Sequence, residues 1–226
     1  MSAMTSQASR HVVRRVVAAP VVALTVLLVA TGCGTASDPS PPAGVDGLTV
    51  PTPSPDPGDF VDEIDNPWLP LTPGSAWSYR TAEGVDDEWS VGPGPEISGV
   101  ETTALVTSSG VADYYAQDES GNVWWLGREG EWQAGEGVAE AGIAMLATPR
   151  LGDGYVGSEP GPRAEIVAVD GVRETEAGAF EDLLVIETTD PDGRLLTSYY
   201  ARDVGLVYRE TETAVPDEFL ELFNRS

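Results

Sequence analysis

The 226-residue chain contains one cysteine, one histidine and no lysine. Without lysine there is no Schiff base, no Ser-Lys dyad and no phosphate-loop lysine. The single histidine, His11, and the single cysteine, Cys33, both lie near the N-terminus. A second cysteine for a disulfide or a zinc-thiolate site is missing, so the fold must depend on its core alone.

Cys33 follows three segments in a fixed order. The basic pair Arg14-Arg15 precedes an apolar run over Val16–Ala30, and the small pair Thr31-Gly32 comes directly before the cysteine. This order is typical of a secretory signal peptide. The end of the run also resembles the lipobox of bacterial lipoproteins, with alanine where leucine is usual. We therefore predict cleavage between Gly32 and Cys33 and a diacylglycerol on the Cys33 thiol.

A lipid on this cysteine predicts a location on the outer face of the plasma membrane, with the membrane as a partner through the anchor. The alternative is a transmembrane helix. The apolar run, however, has about 15 residues and includes Pro20, whereas a spanning helix needs about 20. The Arg14-Arg15 pair leaves the general secretory route and the twin-arginine route both open.

Positive charge is scarce throughout the chain. After cleavage nine arginines remain against 37 aspartates and glutamates, a formal net charge of −28. Such a surface repels nucleic acid, so we predict no nucleic-acid partner. A mature chain without histidine has no Ser-His-Asp or Cys-His arrangement and no imidazole ligand. We predict that the protein is not an enzyme and has no catalytic residue, no cofactor and no metal site.

Acidic residues are abundant and occur in clusters. The clusters are Asp62-Glu63-Asp65, Asp86-Asp87-Glu88, Glu181-Asp182 and Asp190/Asp192. A glycosidase needs two carboxylates about 5 to 10 Å apart across a cleft. A chain with 37 aspartates and glutamates contains pairs at that distance by chance. A carboxylate-dependent hydrolase is therefore only a third interpretation. The Asp190 turn lacks the further acids of a calcium loop, and calcium binding by the acidic clusters stays open.

The composition divides the chain into three parts. Residues 1–32 form the signal peptide. Residues 33–58 carry the lipidated cysteine and a segment rich in Pro, Ser and Gly, which predicts a disordered tether. Residues 59–226 form one domain of ordinary size, long enough to bury a core.

The domain has the composition of a β protein. Short runs rich in Val, Thr, Tyr and Trp alternate with Gly, Asp and Pro turns. We predict strands at Ser75–Thr81, Glu88–Val91, Val100–Ser108, Ala112–Gln117, Asn122–Gly127, Ala164–Asp170, Phe180–Thr188, Arg194–Ala201 and Gly205–Glu212. The predicted fold is mainly β, a curved antiparallel sheet of about 8–10 strands that forms a half-barrel or open barrel.

Two segments are ambiguous, and two turns are clear. Spacing of apolar residues permits an amphipathic helix over Gly135–Leu146, and Pro216–Phe223 fits a short terminal helix or a frayed last strand. Asp118–Asn122 and Asp190–Gly193 are hairpin turns. The sequence of the first hairpin is repeated later in the chain, and we call this repeat the echo. Both copies begin with Tyr-Tyr-Ala-x-Asp, at Tyr114 and at Tyr199. In both, a glycine follows and then a valine with an aromatic residue after it.

A resemblance to a family covers most of the domain. The segment Asn66–Tyr79 reads NPWLPLTPGSAWSY, and a later segment, Tyr199–Tyr208, reads YYARDVGLVY. Both resemble motifs of a family of uncharacterised secreted bacterial β-domains, many of them actinobacterial lipoproteins. The resemblance implies a mostly β domain and an extended loop over Gly142–Pro149, and it implies no activity. Trp68 and Leu69 in the first motif are expected to plug one end of the sheet.

Adjacent aromatic pairs bear on function. Trp124-Trp125 and Tyr199-Tyr200 must each point to opposite faces of a sheet, so both faces carry large rings. Either both faces are covered, or one face lines a pocket. The sequence favours a non-catalytic binding or carrier domain for an apolar or sugar ligand in the cell envelope. The alternative is a structural or protein-interaction module without a small ligand, whose protein partner the sequence does not identify.

Overall fold

A computed structural model describes residues 55–211 and 219–226 of the chain. One 3₁₀ turn, Pro57–Asp59, precedes fifteen strands in the described residues. The strands are β1 (Phe60–Val61), β2 (Ala76–Thr81), β3 (Asp86–Ile97), β4 (Val100–Val106), β5 (Ala112–Asp118), β6 (Val123–Arg128), β7 (Trp132–Gln133), β8 (Glu140–Met145), β9 (Gly154–Val156), β10 (Ser158–Glu159), β11 (Arg163–Thr175), β12 (Gly178–Thr189), β13 (Leu195–Ala201), β14 (Gly205–Thr211) and β15 (Phe219–Arg225). In this part of the chain, no helix has the length and apolar character needed to cross a membrane.

Thirteen of these strands form one continuous antiparallel sheet, in the order β10-β8-β6-β5-β4-β3-β2-β15-β14-β13-β12-β11-β9. The two-residue strands β1 and β7 add to β5 and β6. The predicted fold class, a curved antiparallel sheet that approaches a barrel, is confirmed. The strand number exceeds the prediction mainly because four strands have only two or three residues, too few for a pattern of alternation.

The two edges of the sheet are joined by one short stretch of chain. Strand β9 pairs with β11 at one edge, and β10, which follows after Gly157, pairs with β8 at the other. This stretch, Gly154–Glu159, is called the seam below. Strand β8 passes so close to it that a Cβ on Gly142 would lie 2.5 Å from Ser158 N and from Val156 O. The seam nearly closes the sheet into a barrel.

The inner face of the sheet forms the core. Cross-strand partners share a face, and Trp77 lies opposite Trp89 while Leu184 lies opposite Tyr200. Trp77 and Leu184 are 3% and 0% exposed. The adjacent pairs divide as predicted. Tyr200 lines the lumen, and Tyr199 packs outside against Tyr208 with ring centroids 5.7 Å apart.

One end of the barrel, which we call the closed end, is covered by the segment that precedes β2. Trp68 and Leu71 are buried there, and Leu69 is half-buried. The Pro67 carbonyl accepts a hydrogen bond from Asp203 N in the β13–β14 turn. Trp77 Nε1 donates to the Val204 carbonyl of the same turn at 2.7 Å. Trp68 therefore closes this end, as the sequence predicts.

Asn66 fixes this covering segment. Its side chain is 2% exposed, and its Nδ2 donates to the carbonyls of Gly121 and Leu146 at 2.9 and 3.2 Å. Its Oδ1 accepts from Trp68 N at 2.9 Å. Its backbone N donates to Gln117 Oε1 at 2.8 Å. Asn66 thus ties the covering segment to the β5–β6 turn and to the residue after β8 through its side chain, and to β5 through its backbone N–H.

The helix that apolar spacing permits over Gly135–Leu146 does not form. This segment contains a turn and then strand β8, which pairs with β6. Val138, part of the expected apolar stripe, is 84% exposed, whereas Met145 is 0% exposed. This segment forms a strand because it pairs with the edge of β6, although its apolar residues have helical spacing. The extended loop expected over Gly142–Pro149 begins only after Met145, and Phe219–Phe223 belongs to a last strand.

Candidate ligand-binding cavity

The end of the barrel opposite the covering segment holds a cavity of about 350 Å³. This open end carries the β12–β13 turn. Ligand pockets usually have volumes of about 300 to 1,000 Å³. The cavity is lined by Tyr115, Trp125, Arg128, Ile143, Ala144, Tyr155, Gly157, Pro162, Ala164, Ile186, Thr188, Asp190, Arg194, Leu196, Ser198, Tyr200 and Arg209. Residues from eight strands therefore contribute to one site inside the barrel.

Two hairpins place their tyrosines in this cavity in the same way. In the β5–β6 hairpin Tyr115 lies opposite Trp125, and Leu126 is left without a partner in a β-bulge. In the β13–β14 hairpin Tyr200 lies opposite Leu206, and Val207 forms the equivalent bulge. The Tyr-Tyr half of the sequence echo is thus a structural correspondence between two hairpins. The valine-plus-aromatic half is not, because Trp124 lies opposite Ala116 whereas Tyr208 lies opposite Tyr199.

Each bulge turns an arginine inward. An extra residue in one strand shifts its alternation by one position. Arg128 consequently faces the lumen three positions after Trp125, and Arg209 faces it three positions after Leu206. Both guanidinium groups therefore belong to the wall of the cavity.

The first of these arginines has a carboxylate partner. Arg128 Nε donates to Asp113 Oδ1 at 2.8 Å, and its Nη2 donates to Oδ2 at 3.0 Å. Asp113 Oδ1 also accepts from Trp125 Nε1 at 3.0 Å. The hydrogen bond to Asp113 raises the pKa of Arg128 further above its ordinary value. The charge of Arg128 is neutralised within the wall.

The second arginine has a neutral partner. Arg209 is half-buried, and its Nε donates to Ser198 Oγ at 3.2 Å. Its guanidinium carbon lies 5.7 Å from the centroid of the Trp89 ring. Within residues 55–211 and 219–226, no carboxylate forms an ion pair with it. Arg209 therefore presents an uncompensated positive charge to the cavity.

Tyrosine hydroxyls extend the polar part of the wall. Burial raises the pKa of Tyr115 and of Tyr155 well above the ordinary value. Asp113 and Tyr200 raise the pKa of Tyr115 further, and Arg128 and Arg209 lower it by less than burial raises it. Tyr79, deeper in the barrel, also has a pKa raised by burial. Its hydroxyl donates to the Leu206 carbonyl at 2.9 Å. These phenols are neutral at pH 7 and can donate or accept hydrogen bonds.

Three of the four acidic clusters contain a carboxylate that accepts hydrogen bonds from the protein. Asp190 Oδ1 accepts from the backbone N of Asp192 and of Arg194, at 2.9 and 2.8 Å, which makes this segment a hairpin turn. Asp87 accepts from Trp89 Nε1 and Ser108 Oγ, and Asp65 accepts from Gln117 Nε2. Across residues 55–211 and 219–226, no three His, Cys, Asp or Glu side chains are grouped to hold a metal ion.

A second concave surface lies outside the barrel near the closed end. This groove of about 800 Å³ is lined in part by Trp68, Leu151, Val169 and Phe180. Leu151 is 68% exposed and Val169 is 42% exposed. Arg202 stacks on Trp68, its guanidinium carbon 4.6 Å from the ring centroid. The groove is larger than the lumen cavity, lies on the outside of the barrel, and has the charged residues Arg150, Glu181, Asp182 and Arg202 in its lining.

The site residues predicted from the sequence, Gly32 and Cys33, lie outside the described residues. The sequence does not identify the inward arginines Arg128 and Arg209. A signal for them exists, since both follow the echoed Tyr-Tyr hairpin sequence and few other cations are present. Strict alternation from Trp125, however, would place Arg128 outside.

Comparisons with known proteins return only distant structures. No family model matches the chain, and no curated protein matches it. A Bacteroides fragilis protein described as exported, with a YmcC-like fold, is 13% identical over 70% of this chain and 98% of that chain, with a TM-score of 0.40. A protein from Parabacteroides distasonis described as a lipoprotein is 15% identical over 71% and 99%, with a TM-score of 0.33. These values describe a distant similarity of the backbone trace, and they say nothing about function.

Proposed function

We propose that this protein is a lipid-anchored lipoprotein of the outer face of the plasma membrane that binds a small ligand in its lumen. The observation that carries the proposal is the cavity at the open end of the barrel. Its walls combine rings such as Trp125 and Tyr200 with aliphatic side chains such as Ile186. Aromatic and aliphatic walls suit an apolar or sugar ligand, and a few polar groups orient it.

In this proposal the protein binds its ligand and catalyses no reaction on it. Of the described residues that line the cavity only Asp190 carries a carboxylate, and its oxygen is held by backbone amides of its own turn. Hydrolysis of a glycoside by the usual route needs two facing carboxylates. The cavity walls thus favour a carrier over a hydrolase.

The exposed residues of the groove near Trp68 favour a second candidate, an interaction module of the envelope. Leu151 and Val169 place apolar surface in contact with solvent, and such surface is typical of contacts between proteins. The carrier comes first because residues from eight strands surround the lumen cavity, whereas the groove lies on the outer surface.

Native mass spectrometry of the lipoprotein, extracted from its own membrane, tests the proposal. We expect the mass of two or three acyl chains, absent in Cys33→Ala, and a further non-covalent mass that dissociates on activation. Ala164→Trp fills the lumen cavity and should remove that further mass. Ala82→Trp, at an exposed position in the β2–β3 turn, is the control and should retain it.

Three results would contradict the proposal or a part of it. An acylated protein without further mass would favour the interaction module. A protein without acyl chains would overturn the anchor. A non-covalent mass that persists in Ala164→Trp would place the ligand elsewhere, and its measured value would still give the ligand class.

A further inference from the structure

We infer that Arg209 is an anion subsite, so that the ligand of the lumen cavity carries a carboxylate, phosphate or similar acidic group. This inference rests on the proposed function and specifies its ligand as an acidic amphiphile. The acidic group would pair with the Arg209 guanidinium, and the apolar body would lie against Trp125 and Tyr115.

The two equivalent hairpins provide the main argument. Asp113 lies opposite Arg128 in the first hairpin, and Ser198 lies opposite Arg209 in the second. Each of these partners is two residues before the tyrosine that enters the cavity. The same architecture therefore supplies a carboxylate to one arginine and a neutral hydroxyl to the other. An acidic ligand would supply at Arg209 the charge that Asp113 supplies at Arg128.

The energetics of the lumen support this assignment. A cation removed from water is costly unless it is paired, and Ser198, 3% exposed, offers only a hydroxyl. The Nη groups of Arg209 have no partner among the described residues, yet the side chain lines the cavity. A planar guanidinium binds carboxylates and phosphates through two parallel hydrogen bonds. Arg209 can therefore receive such a group without displacing a protein partner.

The distribution of charge points the same way. Nine arginines follow the predicted cleavage site, in a chain with 37 acids. Three of them, Arg128, Arg194 and Arg209, line this one cavity, where Asp190 is the only acid among the described lining residues. Asp113 neutralises Arg128, whereas Arg209 has no carboxylate ion-pair partner among the described residues, so Arg209 can attract an anion that the negatively charged remainder of the protein repels.

Two matched fluorescent probes test the inference. They are 1-anilinonaphthalene-8-sulfonate and N-phenyl-1-naphthylamine, which differ only in the sulfonate. The protein is residues 33–226 with Cys33→Ser, so that neither an acyl chain nor a detergent competes. All the core residues described above lie within this range. We expect the anionic probe to bind about tenfold or more tightly than the neutral probe, as a charge-assisted hydrogen bond requires.

Two substitutions locate the preference. Arg209→Gln should abolish it and leave the neutral probe within about twofold of its original affinity. Ser198→Asp should do the same by giving Arg209 the carboxylate that Arg128 already has. Arg163→Gln is the control, because it removes the same charge from an exposed residue outside the cavity wall, and the preference should survive it.

The outcomes separate the two proposals. If both probes bind the unchanged lumen equally, or if Arg209→Gln keeps the preference, the anion subsite is overturned and the carrier remains. If neither probe binds, the anion subsite is overturned, and the carrier then stands or falls with the non-covalent mass in the native spectrum. Urea unfolding shows whether each variant is folded. Should the Gln variant be unfolded, Arg209→Lys decides, since loss of the two-bond contact must lower the preference severalfold.

Discussion

Asp113 binds Arg128 through both carboxylate oxygens, at 2.8 and 3.0 Å. The two residues lie opposite each other in the β5–β6 pair that is farthest from the turn. The pair lies in the cavity wall, with the Asp113 side chain only 15% exposed. Asp113 thus controls how much positive charge the cavity presents.

Asp113→Ser should convert the first hairpin to the arrangement of the second. Arg128 would lose its neutralising partner, and we expect the anionic probe to bind about fivefold more tightly, as removal of one nearby charge at about 1 kcal/mol implies. The neutral probe should be unaffected. Fluorescence titration measures both affinities, and a weaker anionic affinity in a folded variant would contradict the role given to this pair.

Asn66→Ala should destabilise the domain by about 2 to 4 kcal/mol, because the carbonyls of Gly121 and Leu146 and the N–H of Trp68 would lose a buried partner. Urea unfolding at constant pH measures the loss. Asn224→Ala, at an exposed position in β15, is the matched control and should change stability by less than about 0.5 kcal/mol. Equal effects of the two variants would show that the covering segment does not depend on Asn66.

Gly142→Ala should open the seam. The new methyl group would collide with the backbone of Gly157 and Ser158, and we expect a loss of at least about 2 kcal/mol. Gly92→Ala in β3 is the control, since no atom lies within 4 Å of its Cβ position, and it should be neutral or stabilising. Hydrogen exchange in β8 and β11 should accelerate only in the first variant. Unchanged protection there would contradict the closure described for the seam.

The tyrosines should leave the free energy of unfolding constant from neutral pH to about pH 10 and should lower it at higher pH. An unfolded tyrosine ionises near pH 10, whereas burial raises the pKa of Tyr79, Tyr115 and Tyr155 in the folded protein and that of Tyr208 to about 12. Above pH 10 the unfolded state therefore binds fewer protons, and each buried tyrosine removes about 1.4 kcal/mol per pH unit.

Tyr155→Phe isolates one contribution to this alkaline loss. Its hydroxyl makes only a long bond of 3.4 Å to the Ala144 carbonyl, so the variant should be within about 1 kcal/mol of the original at pH 7. It should lose stability less steeply above pH 10. Urea unfolding across pH, with tyrosinate absorbance as a second probe, checks this. Titration of every tyrosine near pH 10 without unfolding would contradict it.

The sequence predicts the larger part of the fold from alternation and turn chemistry. It misses strands whose existence depends on a partner. Gly154–Val156 and Ser158–Glu159 are too short to carry a period, and they are held by the two edges that they join. The segment before Met145 has a helical spacing, but the edge of β6 imposes a strand.

The site is less predictable than the fold, because it depends on two bulges. Strict alternation after Trp125 places Gly127 inside and Arg128 outside, and after Leu206 it places Arg209 outside. The unpaired residues Leu126 and Val207 reverse both assignments. A bulge depends on the register between two strands, which the pattern of a single strand does not reveal.

The pairing of β2 with β15 has a consequence for the order of events during folding. Arg80 lies opposite Glu221, so the barrel is completed by strands from the two extremes of the domain. Such distant pairing is slow, because much chain entropy is lost before the contact forms. Until then the half of the cavity wall with Arg128 and the half with Arg209 are connected at the seam but not through β2 and β15. We expect a chain cut short before β15 to contain both hairpins without a closed wall around the cavity.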